Sequence, residues 1–315
     1  MNVGVVMLHY KLKYMQLNLT TSNQKQRTIS KQFPFEGQSL FSTETISMEI
    51  LPASVNSGIY FNINGKIIPT IADYLNSTQL HTTSLAKDGE SVMMIEHLSA
   101  AIYGLGIDNL EIRMSGNVVP AQDGSAEPFA KALLDAGIVE QEEYRKVVEV
   151  AEPIHFKQPE FKGRNAVLKP LKDSFKLTVN APFPDPIGTH IVSFKDGDSF
   201  IDDVSWARTF LRSPLDMNDL EKWNGIRTVY KALPEDPRES PIITFTKEEF
   251  LTPLKREDEP AVHKLLDTLG DLILVGYRIQ GDLNINMPGH KFTHQIAKDI
   301  REMINNNTPL ANTRR

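Results

Sequence analysis

His263 and Asp267 stand four residues apart in "HKLLDTLGD". On a helix that spacing sets an imidazole and a carboxylate one above the other on the same face. Such a pair can ligate a metal ion; it can equally be a surface ion pair, or a core histidine satisfied by its own helix neighbour. Three further features point towards metal chemistry. Glu96 and His97 in "MMIEHLSAA" are two polar residues inside a stretch otherwise apolar and small. His97 falls on the helical face that should be buried, where leaving it unpaired would cost about 1–3 kcal/mol. A catalytic zinc takes three protein ligands and keeps a fourth position open, and two histidines with one carboxylate are an accepted set. His97, His263 and Asp267 supply that set. Glu96, beside a ligand, could take the proton of a water as general base, or it could be only the solvated edge of its helix. His290 in "MPGHKF" follows a Pro-Gly pair and is expected in a loop, either exposed or facing the site, where it could protonate a leaving amine. Asp271, one turn beyond Asp267, could orient a histidine or stand as an exposed charge.

These residues need two helices and a scaffold of strands to meet. "PAVHKLLDTLGDLILVG" is the strongest helical pattern in the chain, with Pro260 suited to its first turn. The spacing of Met93, Met94, His97, Leu98, Ala101 and Ile102 predicts the other helix, ended by Gly104 to Gly106. Before it, "QRTISKQFPFEGQSLF" and "ISMEILPA" alternate as strands, and "SGIYFNINGKII" carries an Asn-Gly turn between two more. A strand in "NLEIRMSG" is followed by a helix with Ser125 as its N-cap. The pattern restarts near residues 148–152, giving strands in "AVLKPL", "FKLTVNAPF", "THIVSF" and "PIITF". Helices are expected in "FIDDVSWARTFL", "SPLDMNDLEKWNG" and "THQIAKDIREMINN", the last after the strand and loop of "IQGDLNINMPGHKF". Strands and helices mix without strict alternation, which predicts two α+β domains over residues 23–150 and 151–315, preceded by a loosely attached tail at 1–22.

The 315 residues suffice for two cores, and 40% hydrophobic with 23% charged residues is a globular balance. A net charge of -6 with no basic run argues against a nucleic-acid partner, though a local basic pocket for phosphates stays open. There is no cysteine, so disulfides, thiolate metal sites and cysteine nucleophiles are excluded together. "MNVGVVMLHYKLKYMQ" has too short an apolar run for a membrane span and lacks the features of a signal peptide, so a cytoplasmic location is expected.

In order along the chain, "IEHLSAAIYGLGIDNLEI", "VVPAQDGSAEPF", "ARTF", "HKLLDTLGD" and "PGH" resemble the UDP-3-O-acyl-N-acetylglucosamine deacetylases, the zinc amidases of lipid A biosynthesis. The resemblance covers roughly residues 26–305. It implies Zn2+ held by His97, His263 and Asp267, Glu96 as general base, and His290 as general acid or oxyanion stabiliser with Asp271 behind it. It also implies that the Thr209 hydroxyl helps stabilise the oxyanion, that Phe210 packs near the sugar, and that Lys264 lies near the polar end of the substrate. Phe183 in "APFPDP" resembles an aromatic that stacks on uracil. The family fold is two similar α+β domains whose helix layers pack together between two outer sheets, with the zinc in the cleft between them. The implied partner is a UDP-linked acylated amino sugar, with no transmembrane segment and with peripheral contact to a membrane left open.

Three departures bear on substrate selection. The family's early "GLHxG" loop, with its histidine, is here "FEGQSLFS". After "ARTF" the chain reads "LRSPL" and "IRTVYKALPEDPRESPII", so Arg212 replaces a common aromatic and the wall of the acyl passage is expected to be remodelled. The position near Thr83 and Ser84 lacks a cysteine that some members carry. Two other readings remain: a paralogous zinc amidase acting on a different N-acetylated sugar nucleotide or amine, and an inactive relative serving as a binding protein.

Overall fold

The computed structural model describes residues 16–40, 44–76, 82–212, 227, 231 and 233–307. Strands β1 (Leu17–Ile29), β2 (Phe33–Gln38), β3 (Thr45–Pro52), β4 (Ile59–Ile63) and β5 (Lys66–Pro69) open the chain. In β4, Ile59, Phe61 and Ile63 turn inwards on alternate positions. Asn64 (φ 53) and Gly65 (φ 83) close the hairpin to β5 in the left-handed conformation that such two-residue turns require. The hairpin β6 (Ser84–Lys87) and β7 (Glu90–Met93) leads into helix α1 (Glu96–Gly104), then β8 (Leu110–Met114), α2 (Glu127–Asp135) and β9 (Ile138–Val150).

The second half begins with β10 (Ile154–Lys157), β11 (Asn165–Lys169), β12 (Phe175–Pro182) and β13 (Thr189–Lys195). It continues through the short α3 (Phe200–Asp203), β14 (Phe210–Arg212) and β15 (Ile243–Phe245), and ends with α4 (Glu259–Leu272), β16 (Arg278–Asn286) and α5 (His290–Asn307). The first sheet has the order β2-β3-β8-β4-β5, and in the second β10-β11-β16-β12-β13 follow one another with the same connections. Within these five-strand runs each has one parallel pair, β4 with β8 and β12 with β16, among antiparallel ones. The long β1 and β9 pair antiparallel and join the second sheet where Val147–Glu149 runs parallel to Arg278–Gln280. The architecture is α+β. No helix among the described residues is long and apolar enough to cross a membrane.

Several sequence expectations are corrected. Residues 17–22 lie in β1 rather than in a tail, because Leu17 is buried and the strand pairs with β9 from its first residue. Met93 and Met94 precede the helix: Met93 belongs to the β6–β7 hairpin, and Met94 adopts φ 61, so α1 starts at Glu96. Helix α3 ends after one turn instead of running to Leu211. Arg208 is drawn to Glu259 at 2.8 Å and the Thr209 N–H donates to the Gly124 carbonyl at 2.7 Å, which pulls the chain into the extended β14. Ser125 caps one residue early, accepting from the Glu127 N–H at 3.2 Å. His290 is the first residue of α5 rather than a loop residue, since the Gly289 carbonyl already accepts from the N–H groups of Phe292 and Thr293. The expected helix at 213–225 lies outside the described residues.

Helix α4 packs against α1, α5, β12 and β13, and one continuous core runs through both halves. Leu98 and Ala101 on α1 and Leu266 and Leu269 on α4 are fully buried, each leucine stabilising by about 1.5–3 kcal/mol. The closest approach is at Gly270, where a Cβ would stand 2.2 Å from the Glu96 carbonyl oxygen. Gly270→Ala is therefore expected to cost about 1–3 kcal/mol through overpacking, measured as a lower urea midpoint at constant slope. An unchanged midpoint would mean the two helices separate freely.

Candidate metal centre

Helix α1 presents Glu96 and His97 from its first turn, and α4 presents His263, Asp267 and Asp271 along one face. Asp267 Oδ1 lies 3.3 Å from His263 Nε2 and 3.7 Å from His97 Nε2. The two imidazoles meet edge to face at 5.1 Å. His263 Nδ1 is 3.1 Å from the Ala207 carbonyl oxygen. A carbonyl only accepts, so Nδ1 carries the proton and the Nε2 lone pair faces Asp267. Burial keeps this ring neutral, lowering its pKa to about 3 against the opposing pull of Asp267. Burial would raise the Asp267 pKa, but His263, Lys264, His290 and His97 together hold it below the usual carboxylate range. Lys264 Nζ sits 2.5 Å from Asp267 Oδ2, whereas the buried Oδ1 has no hydrogen-bond partner. An orphaned carboxylate oxygen facing a bare imidazole lone pair is costly on its own and is what a divalent cation would resolve. The three residues fit zinc.

One turn along α4, Asp271 is fully buried but satisfied. Its Oδ2 lies 2.8 Å from His290 Nδ1 and also accepts from Thr293, and its Oδ1 accepts from the Thr83 hydroxyl at 2.5 Å. His294 Nε2 stands 2.8 Å from Thr83 Oγ1 and 3.4 Å from Asp271 Oδ1. Asp271, His290 and His294 are also near enough to share a cation, yet the Thr83 oxygen already sits among them and supplies the missing partners. The orphaned oxygen therefore favours the first cluster. Burial would lower the His290 pKa, but the charges of Asp271 and then Asp267 outweigh it and raise it to about 9. Asp271 shows the converse: burial would raise its pKa, and His290 and His294 hold it below the usual range.

Glu96 is buried, and its carboxylate accepts from Thr82 Oγ1 at 2.9 and 3.1 Å and from the Thr83 N–H at 3.0 Å. Thr209 is placed through its backbone, between Ala207, whose carbonyl accepts from His263, and Phe210, whose ring is 6.0 Å from that of His263. Its N–H bond to Gly124 needs a glycine there, because Gly124 has φ 80 and a Cβ would meet Thr209 Cγ2 at 2.8 Å. Phe183 packs edge-on to Phe210 at 5.4 Å, and Lys264 Nζ lies 5.2 Å from the Phe210 ring centre. All ten residues singled out from sequence thus belong to one neighbourhood. Sequence reasoning gave no role to Thr82, Thr83, Thr293 or His294; it marked Thr83 only as near a position that is a cysteine in some relatives, and His294 left a signal in standing four residues after His290. Residues 41–43 of the early loop and most of the insert after Arg212 lie outside the described residues.

A family model described as UDP-3-O-acyl N-acetylglycosamine deacetylase matches residues 26–302. Among curated proteins, a UDP-3-O-acyl-N-acetylglucosamine deacetylase of Actinobacillus pleuropneumoniae serotype 3 (strain JL03) is 31% identical over 286 residues, covering 88% of this chain and 90% of that protein. Its namesake in Shewanella halifaxensis (strain HAW-EB4) is 33% identical over 282 residues, covering 87% and 88%. That of Histophilus somni (strain 129Pt) is 31% identical over 300 residues, covering 88% and 90%.

Two outcomes are expected. His97→Ala and His263→Ala should each lose most bound zinc, since three ligands become two; metal analysis that finds either variant fully loaded would remove that residue from the site. In the metal-free protein the His290 ring should titrate near pH 9 by NMR. Because the folded pKa lies above the ordinary value, the stability it contributes is complete below about pH 6.5 and is lost as pH rises through the folded value. A His290 titration near its ordinary value would dissolve the pairing with Asp271.

Proposed function

The chain belongs to the UDP-3-O-acyl N-acetylglycosamine deacetylase family, and from that premise we propose that it hydrolyses the acetamide of UDP-3-O-acyl-N-acetylglucosamine to acetate and UDP-3-O-acyl-glucosamine. The observation that carries this reading is the orphaned Asp267 oxygen between two imidazoles, with a buried glutamate beside one of them. Zinc held by His97, His263 and Asp267 would supply Lewis-acid polarisation of the amide carbonyl and lower the pKa of a water.

The chain's own groups supply the rest. Glu96 accepts the proton of the attacking water, its carboxylate held still by Thr82 and the Thr83 N–H. His290, held on Asp271 and kept protonated by that charge and by Asp267 in the metal-free protein, is suited to stabilise the oxyanion and then protonate the leaving nitrogen. Asp271 holds the imidazole by its Nδ1, which leaves Nε2 facing the site, 3.7 Å from Asp267 Oδ2. Thr209 adds a hydroxyl to the oxyanion, while Lys264, Phe210 and Phe183 line the approach for the sugar and the uracil. The two matching sheets support an arrangement of two similar α+β domains divided near residue 150, with helices packed between outer sheets. A nucleotide-linked substrate supports a cytoplasmic location, and the acyl chain supports peripheral contact with a membrane. The complete set of ligands and base weighs against an inactive relative, while "FEGQSLFS" keeps a different N-acetylated substrate as the second reading.

Acetate release from UDP-3-O-acyl-N-acetylglucosamine should be abolished by chelation and restored by zinc. Glu96→Gln should bind zinc normally and lose about 10²–10⁴ in kcat. Zinc without acetate release in the wild type would move the substrate to another N-acetylated compound, and a Glu96→Gln variant as fast as wild type would remove Glu96 as base.

A further inference from the structure

Thr83 touches both sides of the proposed chemistry. Its backbone N–H donates to Glu96 Oε2 at 3.0 Å, and its hydroxyl lies 2.5 Å from Asp271 Oδ1. The Asp271 carboxylate can only accept, so the single hydroxyl proton points to it. A Thr83 lone pair is then left for His294 Nε2 at 2.8 Å, which must carry a proton to complete the contact. The remaining approach, His290 Nδ1 at 3.2 Å from the same oxygen, is longer than that ring's 2.8 Å bond to Asp271 Oδ2. The chain of donors is thus His294 to Thr83 to Asp271 Oδ1, with His290 on the other carboxylate oxygen. His290 and His294 project from the same face of α5, as Asp267 and Asp271 do from α4.

We infer that Thr83 and His294 form a positioning pair that locks the Asp271 carboxylate, and through it the ring of His290, at a fixed offset from Glu96. This inference rests on the deacetylase reading for its kinetic test only. A carboxylate tethered at one oxygen can turn about its Cβ–Cγ bond and release the imidazole. The Thr83 hydroxyl holds the second oxygen, and His294 orients that hydroxyl. Neither residue touches the metal ligands in the hydrogen bonds described, so their loss should leave zinc in place. Thr83 ties the two proton-handling groups together because its N–H and its Oγ1 belong to one residue.

The test uses the zinc-loaded protein carrying Thr83→Val, Thr83→Ser or His294→Phe, each also placed in a His290→Ala background. Thr83→Val and His294→Phe should lower kcat about 10- to 100-fold with KM and zinc content unchanged, and Thr83→Ser should recover to within about threefold of wild type. In the His290→Ala background the same changes should cost less than about twofold, because a positioning role is lost with the ring it positions. A slowly exchanging Nδ1 proton of His290 should be seen by NMR in wild type and Thr83→Ser, and be lost in Thr83→Val and His294→Phe. The inference is overturned by Thr83→Ser as impaired as Thr83→Val, by undiminished losses in the His290→Ala background, or by an Nδ1 signal untouched in both Thr83→Val and His294→Phe. Wild type that releases no acetate would instead fail the deacetylase reading, leaving the Nδ1 signal to decide the positioning pair.

Discussion

Gly270 lets α4 lie so close to the first turn of α1 that any side chain there would strike the Glu96 carbonyl oxygen at 2.2 Å. The contact falls between Asp267 and Asp271 on one helix and beside Glu96 and His97 on the other. The backbone approach and the chemical site are therefore the same place. A larger residue would push the helices apart by a few tenths of an ångström or more, and ligand geometry tolerates little of that. The core on either side of this contact is apolar and continuous, with Leu98, Leu266 and Leu269 fully buried. Interior packing of that kind resists small displacements, so the fold's stability is spent on holding two helices at one spacing.

Two buried carboxylates one turn apart on α4 then take different parts. Burying an ionised carboxylate costs several kcal/mol unless it is paired, and each is paired in its own way. Asp271 has acceptor bonds on both oxygens and a strongly held imidazole. Asp267 has Lys264 on one oxygen and none on the other. Hydrogen bonding completes the first site and leaves the second one cation short. That difference makes Asp267 the carboxylate that fits a metal ion, while Asp271 holds His290, although the two look equivalent in "DTLGD".

Much of this was legible in the sequence because it rests on periodicity. The His263–Asp267 spacing, the polar Glu96–His97 step in an apolar helix and the Asn64–Gly65 turn are all local patterns, and the structure keeps each of them. What escaped depends on tertiary partners. Met93 and Met94 have helical spacing, but the β6–β7 hairpin claims one and a left-handed backbone the other. The pattern at 200–211 reads as helix until Glu259 and Gly124 capture Arg208 and Thr209. Thr82 and Thr83 look like ordinary strand-start residues; their roles come from Glu96, more than ten positions away, and from Asp271, far along the chain.

The far end of α1 explains how its first turn is held in place. Arg27 from β1, Arg145 from β9 and Arg278 from β16 converge on the C-terminal turn of the helix. Arg27 donates to the Leu105 carbonyl at 2.8 Å, Arg145 to that of Gly106 at 2.9 Å, and Arg278 to those of Ile102 and Tyr103. Arg145 is itself pinned to Asp108 at 2.7 Å. Cavities of about 220 and 420 Å³ border this cluster rather than the metal centre, but the guanidinium groups there are already spent on carbonyls and carboxylates. Cations at a helix C-terminus stabilise by about 0.3–1 kcal/mol each when exposed and up to about 2 kcal/mol when partly buried. The same dipole turns its positive end towards Glu96 and His97, and α5 does likewise at His290. At such magnitudes the helix ends can favour a developing oxyanion but cannot replace a cation beside Asp267. The arginines therefore serve the fold, fixing α1 from behind, while the unpartnered Asp267 oxygen in front is the place that a bound cation would satisfy.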